Sequence, residues 1–479
     1  MVQGDVPVLG TQFSCQSCHG RSGMGAGEGG LLVPAVAGSI LFEADAQRAR
    51  PAYTEASLAR ALRVGVDPAG RALSPLMPRY PLQDGEAAAL TGYLRTLSAQ
   101  PSPGVDGQRI QFATVFGDDV LADQRQAVLD VLQTYVDEKN RETRRERLRP
   151  EHGLPSGQRR PRSYRTWELR VWDLVGPSSG WREQLEARYA EQPVFAVLGG
   201  TSSRPWSVVH RFCEDHELPC LLPSVVLPAA READFYTVYF SRGLLLEADL
   251  IARDAVTASI ARLVQVFRKN STGAEAAAAL RQRLREDGPA VEDLELGPDE
   301  APSFPALARR LRETPGSAAV LWLTWRELDG IAALQDSGAA RLYLSATLGD
   351  GEFSSLPWIR VPAFAAHPFR LASETDPGLQ RFRLWLRSRR IPPRHARLQA
   401  EAFFACLAAN EALMHMGRHF FRDYLLDRLD HAQGLGAYLP LYPSPSTGPG
   451  QRFLSKGGYV VPLTSGNEPD QAGAVWIVP

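Results

Sequence analysis

Apolar residues in the first hundred positions recur with helical spacing, whereas from about residue 108 onward short apolar runs alternate with helical stripes. Leu90, Tyr93, Leu94 and Leu97 fall at i, i+3, i+4 and i+7, which predicts an amphipathic helix that Asp84 can cap. Leu58, Ala61 and Leu62 share a face behind a second candidate cap, Thr54. Between these helices and their ends, Ser74-Pro75-Leu76-Met77-Pro78-Arg79-Tyr80 is a proline-braced loop that can present a side chain outside any helix or ladder. A small all-α domain is predicted over residues 1–100, and Pro101-Ser102-Pro103-Gly104 opens a linker, 101–107.

Beyond the linker the pattern reads β-α-β-α. Arg109–Phe116, Trp167–Leu174 and Val194–Leu198 are predicted strands, with helices over Ala122–Glu138, Ser179–Ala190 and Trp206–Asp215. The order resumes after Ser241 with a helix over Leu244–Ala255, a strand over Ile260–Phe267 and further elements through Leu342–Ala346. A long amphipathic helix from Ala396 to Asp430 closes the run. Alternation of this kind predicts parallel sheets covered on both faces. There are strands enough for two sheets, so two α/β lobes with a cleft between them are expected over 108–465, followed by a tail, 466–479.

Length and charge agree with several domains. A chain of 479 residues exceeds one small helical domain, and its 44% hydrophobic content is ample for packed cores. No apolar run approaches the roughly 18 residues of a membrane span. A formal net charge of −1 gives no global pull toward nucleic acid or anionic lipid. Lysine occurs only at Lys139, Lys269 and Lys456; arginines cluster at Arg141, Arg144, Arg145, Arg147, Arg149, Arg159, Arg160 and Arg162, a solvated stretch or a docking point for an acidic partner.

The sharpest chemistry is Cys15-Gln16-Ser17-Cys18-His19. Two thiols three positions apart can form thioethers to one haem, and the adjacent imidazole then serves the iron as axial ligand. A zinc site would need a second Cys or His pair at the usual spacing, which is missing. A redox dithiol would sit between a strand and a helix. The opposite face of such an iron is commonly completed by a methionine thioether. Met24, five residues past His19, could span at most ~17 Å and would use nearly all of it. Met77 is the better placed candidate.

With these residues the first 100 positions resemble class I cytochrome c domains. The resemblance implies one covalent haem c, His19 and Met77 as axial ligands, and the carbonyl of Pro34 as acceptor for the His19 Nδ1 proton. It also implies assembly outside the bacterial cytoplasm, hence a periplasmic protein, although Met1-Val2-Gln3-Gly4-Asp5-Val6-Pro7 has no secretory signal pattern. In that compartment Cys213 and Cys220 are a candidate disulfide, while Cys406 reads as a core thiol. Arg63 and Arg71 are candidates for the haem propionates.

Residues 108–465 resemble the type 1 periplasmic binding proteins of branched-chain amino-acid ABC transporters. The likeness rests on Val175-Gly176-Pro177 with Trp181, Val194 to Ser203, Leu218 to Pro223 and Tyr236 to Glu247, and it implies hinged lobes closing on a small solute. In parallel sheets ligands sit beyond the carboxyl ends of strands, where Gly199-Gly200-Thr201-Ser202-Ser203 offers hydroxyls and amides suited to a carboxylate. Ser202 and Ser203 are therefore the leading solute contacts, with Trp206, Tyr239, Ser241, Ser345 and Thr347 as wall candidates. Glu411, His415 and His419, four apart, form a weaker metal-ligand candidate. The ending from Gly450 to Val461 looks like the tail of haem-fused binding proteins associated with quinoprotein alcohol oxidation.

No nucleophile and base stand at recognisable spacing, so no enzyme is expected. The expected function is periplasmic electron transfer through one haem, with the lobes docking a redox partner such as a quinoprotein dehydrogenase or sensing a small-molecule solute. The alternative is a solute-binding component of an importer with an accessory haem.

Overall fold

The computed structural model describes residues 2–3, 6–7, 13–28, 31–46, 48–147, 165–229, 231, 233–285, 288–349, 353, 360–371, 377–431, 440–446, 448, 450–464 and 469–479. The N-terminal domain comprises β1 (Val2–Gln3), β2 (Val6–Pro7), α1 (Cys15–His19), β3 (Ala26–Glu28), β4 (Leu31–Val33), α2 (Gly38–Leu41), α3 (Glu55–Val64) and α4 (Asp84–Thr96). Thr54 caps α3 as expected: its side chain accepts from the Ser57 amide at 3.1 Å. At α4 the cap is Gln83, whose amide donates to Glu86 Oε2 at 2.7 Å, and Asp84 is the first helical residue. Leu41, Leu58, Leu62 and Leu94 form the core, with Met77 and Tyr80 packed on it. The glycine-rich segment after His19 contains a hairpin, with β3 and β4 antiparallel.

The first lobe holds β5 (Arg109–Phe116), α5 (Ala122–Arg147), β6 (Thr166–Asp173), α6 (Trp181–Glu191), β7 (Ala196–Leu198), β8 (Thr201–Ser202), α7 (Ser207–Asp215), β9 (Cys220–Leu221), β10 (Ser224–Val225) and β11 (Thr237–Val238). Its parallel sheet runs β10-β8-β5-β7-β9-β11, with β6 on β5. The second lobe follows with α8 (Leu244–Thr257), β12 (Arg262–Arg268), α9 (Thr272–Arg283), β13 (Ala290–Leu296), α10 (Phe304–Arg312), β14 (Ser317–Trp322), β15 (Arg341–Ser345) and β16 (Ala363–His367). The chain then returns to the first lobe as α11 (Pro377–Ser388), α12 (Ala396–Met414) and α13 (Arg422–Asp430), and ends in the second with β17 (Gly458–Pro462) and β18 (Val475–Ile477). The second sheet is β13-β12-β14-β15-β16-β17-β18, parallel except for its last two strands.

Three differences from the sequence expectation have local causes. The long closing helix is two, α12 and α13: α12 ends at Met414, and the break before Arg422 contains Gly417 in a left-handed conformation (φ 61°) that a continuous helix does not allow. The expected tail carries β18, whose ladder to β17 makes it part of the second sheet. The linker is pinned: the Ser102 amide donates to Phe420 O at 3.2 Å, and a Cβ on Gly104 (φ 83°) would meet Phe195 N at 2.1 Å. Of the arginine cluster, Arg141, Arg144, Arg145 and Arg147 lie on α5, and Arg149, Arg159, Arg160 and Arg162 lie outside the described residues.

Candidate functional site: a haem cleft and a filled seat

One turn of α1 sets both thiols of the C-x-x-C-H run at the surface and turns His19 inward, where it is 8% exposed. His19 Nδ1 lies 2.8 Å from Pro34 O. A carbonyl only accepts, so Nδ1 carries the proton and Nε2 keeps its lone pair for a metal. Burial lowers the His19 pKa, opposed by the Pro34 carbonyl, which favours the neutral imidazole a ligand needs. Gly25 makes this contact feasible. At φ 73° its amide bonds to His19 O at 2.8 Å, and an added Cβ would stand 2.3 Å from Val33 O and 2.9 Å from Pro34 O.

His19, Cys15, Cys18 and Met77 line one open cleft whose other walls include Phe13, Leu32, Leu76, Pro78 and Tyr80. The mostly apolar walls suit a flat hydrophobic cofactor. Burial, with the Cys15 and Cys18 thiols nearby, pushes Tyr80 up to about 12. The donor set therefore fits a covalent haem: thiols at the rim, a free Nε2, and a thioether lining the same space.

The Met77 loop is braced by a residue that sequence reading passed over. Arg79 Nη1 donates to Met77 O at 2.5 Å, and Nη2 reaches Leu73 O at 3.3 Å and Ser74 O at 3.4 Å. Gly65 (φ 77°) ends α3 and leaves room for this guanidinium, since a Cβ there would sit 2.1 Å from Arg79 Nε. Arg63 and Arg71, the propionate candidates, are engaged elsewhere. Arg63 bonds Leu82 O (2.8 Å) and Asp84 (2.7 Å), and Arg71 bonds Asp67 (2.7 Å) and Arg48 O (2.7 Å). Met24 is not among the residues lining the cleft and packs against the first lobe's core.

The loop after His19 is gripped by the first lobe. Asp427 on α13 accepts the Arg21 amide at 3.1 Å and the Ser22 amide at 2.9 Å. Arg21 lies over the Phe235 ring at 4.4 Å and pairs with Asp423 at 3.4 Å. Burial pushes the Asp427 carboxyl up, and the two amides oppose that. One carboxylate on a first-lobe helix thus holds the backbone two and three residues past His19.

The solute candidates separate into groups. Ser202 Oγ donates to Asp119 Oδ1 at 2.9 Å, and the Ser203 amide donates to Asp119 Oδ2 at 2.5 Å. Trp206 and Tyr239, expected as cleft walls, are core residues of the first lobe, 0% and 1% exposed. Tyr239 Oη donates to Ala229 O at 2.8 Å and its ring stacks on Phe453; neither side chain is available to a solute. Ser241 Oγ accepts the Gly243 amide, and Ser345 Oγ accepts the Leu348 amide. The Thr347 amide donates to Glu247 Oε1 at 2.8 Å. Glu247 is fully buried, its Oε2 has no hydrogen-bond partner, and burial lifts its pKa to about 7.

Cys213 and Cys220 are buried free thiols in contact, so the candidate disulfide is not formed in this structure. Glu411 and His415 pair at 3.0 Å, but His419 lies past the end of α12 against Phe421. Among the described residues no group of three such side chains is placed to hold a metal ion, and no helix is long and apolar enough to cross a membrane.

Comparison with known proteins matches both regions. Residues 10–98 match the family model described as cytochrome c. Among curated proteins none matches the chain. The branched-chain amino-acid substrate-binding protein LivJ of Streptococcus pneumoniae, solved with isoleucine, is similar in structure at 12% identity and TM-score 0.55, covering 78% of this chain and 100% of that one. A solute-binding protein of an R. palustris ABC transporter in complex with benzoate gives 12% and 0.54 over 78% and 98%. A Thermus thermophilus branched-chain amino-acid transporter protein with bound valine gives 13% and 0.54 over 76% and 97%. At such identities the likeness establishes fold. The chain therefore joins an N-terminal cytochrome c domain to a two-lobed region with the fold of type 1 periplasmic binding proteins.

Proposed function

We propose that the protein is a periplasmic electron carrier, not an enzyme, with one haem c attached at Cys15 and Cys18 and ligated by His19 and Met77. The observation that carries this reading is the His19 contact to Pro34, which leaves Nε2 free in the cleft that Met77 also lines. A bound haem supplies a reversible one-electron couple whose potential a thioether ligand raises. The chain's residues hold the imidazole tautomer through Pro34, brace the methionine loop through Arg79, and give the cleft apolar walls with Phe13, Leu32 and Leu76. The lobes dock a redox partner, for which a quinoprotein dehydrogenase is our candidate. Their attachment to the haem loop through Asp427 supports a rigid carrier.

A second reading, a solute-binding component of an importer, is supported by the fold. The solutes named for the three similar structures, isoleucine, benzoate and valine, all carry a carboxylate. Here the donors suited to that group, Ser202 Oγ and the Ser203 amide, are already bonded to Asp119, which favours the first reading.

Met77→Ala tests the haem assignment. The potential should fall by on the order of 100 mV and the spectrum should shift toward a five-coordinate or water-ligated haem. An unchanged spectrum and potential reject Met77. Stopped-flow reduction of the holoprotein by a quinoprotein dehydrogenase then tests the partner.

A further inference from the structure

The carboxyl ends of β5 and β8 converge on a set of donors suited to an anion, and the chain fills that place with its own side chain. Each oxygen of Asp119 takes a separate donor, Ser202 Oγ at 2.9 Å and the Ser203 amide at 2.5 Å, as the two oxygens of a free carboxylate would. The Arg204 amide donates to Ser202 Oγ at 3.0 Å, and of the two acceptors in reach of the hydroxyl Asp119 at 2.9 Å is nearer than Arg204 O at 3.5 Å. Gly117 is shaped to this occupant: a Cβ there would come within 2.3 Å of Asp119 Oδ1 and 2.8 Å of Ser202 Oγ.

The place has a buried back and an open front, since Ser202 is 2% exposed while Ser203 is exposed. The neighbouring Asp118 does not compete for it. Arg204 holds that carboxylate at 2.7 Å and also donates to Gly176 O at 3.1 Å.

We propose that Asp119 is the resident occupant of a carboxylate seat in the first lobe, so that this lobe refuses free carboxylates while Asp119 is present and accepts a small one when it is removed. A tethered carboxylate acts at an effective concentration in the mM range or above, so a dissolved competitor with the same two hydrogen bonds is outcompeted. This deepens the docking reading of the lobes but rests on no haem residue, so the Met77 experiment and the one below fail independently.

Full-length wild type, Asp119→Gly and the isosteric Asp119→Asn are titrated with sodium acetate and sodium benzoate by calorimetry, with Tm followed against chloride at equal ionic strength. Wild type should give no saturable heat up to about 10 mM. Asp119→Gly should bind at least one anion about tenfold or more tightly than wild type, and its Tm should rise with that anion but not with chloride. Asp119→Asn, which keeps the shape but offers one acceptor, should gain less in the same direction. Ser202→Ala added to Asp119→Gly should abolish the gain. Wild type that binds as tightly as the variants overturns the proposal, as does a folded pair of variants that bind neither anion.

Discussion

The haem cleft and the strand-end seat of the first lobe are both built from donors presented by short elements, yet their polar atoms are in opposite states. In the cleft, the hydrogen bond from His19 Nδ1 to Pro34 O fixes the ring's tautomer and leaves Nε2 open, and both thiols stand exposed. In the seat, Ser202 Oγ and the Ser203 amide are both engaged by Asp119. The difference teaches that a site's readiness is read from which polar atoms its own chain has already satisfied, more than from residue types. Serines and glycines after a strand signal a ligand place in either case.

Substitutions can break this contrast. The largest effect is expected from Cys15→Ser with Cys18→Ser, which should abolish covalent haem, seen as a colourless denatured polypeptide, while the lobes keep their own unfolding transition because their cores contain neither residue. Next is Glu247 in the second lobe. Its pKa is raised to about 7 from 4.5 by burial, so the folded state binds the extra proton and stability is full below pH 4.5 and lost as pH rises through 7. Urea unfolding of the full chain at pH 5 and pH 8 should differ by up to about 3 kcal/mol at this group, and Glu247→Gln should remove that slope.

Asp427→Ala should cost about 1–3 kcal/mol by stranding the Arg21 and Ser22 amides, seen as a lower Tm of the haem domain and faster proteolysis near residues 101–107. Were the haem domain unaffected, the Asp427 contact would add nothing to the hold that Arg21 has on Asp423 and Phe235. The smallest effect belongs to Arg79→Ala, which should lower the temperature at which the thioether-ligated spectrum is lost, a change of about 1 kcal/mol, without moving the lobes' transition.

Much of this was legible in the chain. The C-x-x-C-H run, the Met77 loop and the strand Arg109–Phe116 follow from local spacing alone, because each is set by neighbours within a few residues. The Pro34 contact lies 15 residues from His19 and needed the family resemblance to be foreseen. Asp119 and Asp427 are not legible in the sequence because nothing in their surroundings marks them, and Arg79, though inside the Met77 loop, gives no sign there of turning back on its own loop. Asp119 meets Ser203 across 84 residues and Asp427 meets Ser22 across 405. Trp206 and Tyr239 were misplaced as cleft walls because an aromatic residue at a strand or helix end reads the same whether it faces a ligand or the core.

The order of apolar and polar positions by itself determined the two fold classes, their sequence along the chain and the haem-bearing motif, since helix and strand periodicity and thioether spacing are properties of adjacent residues. Tertiary structure alone decided which lone pairs stay open. His19 Nε2 is free because a carbonyl is brought to the other nitrogen, and the serine donors are closed because two strand ends deliver an aspartate to them. Both outcomes depend on distances that only packing sets.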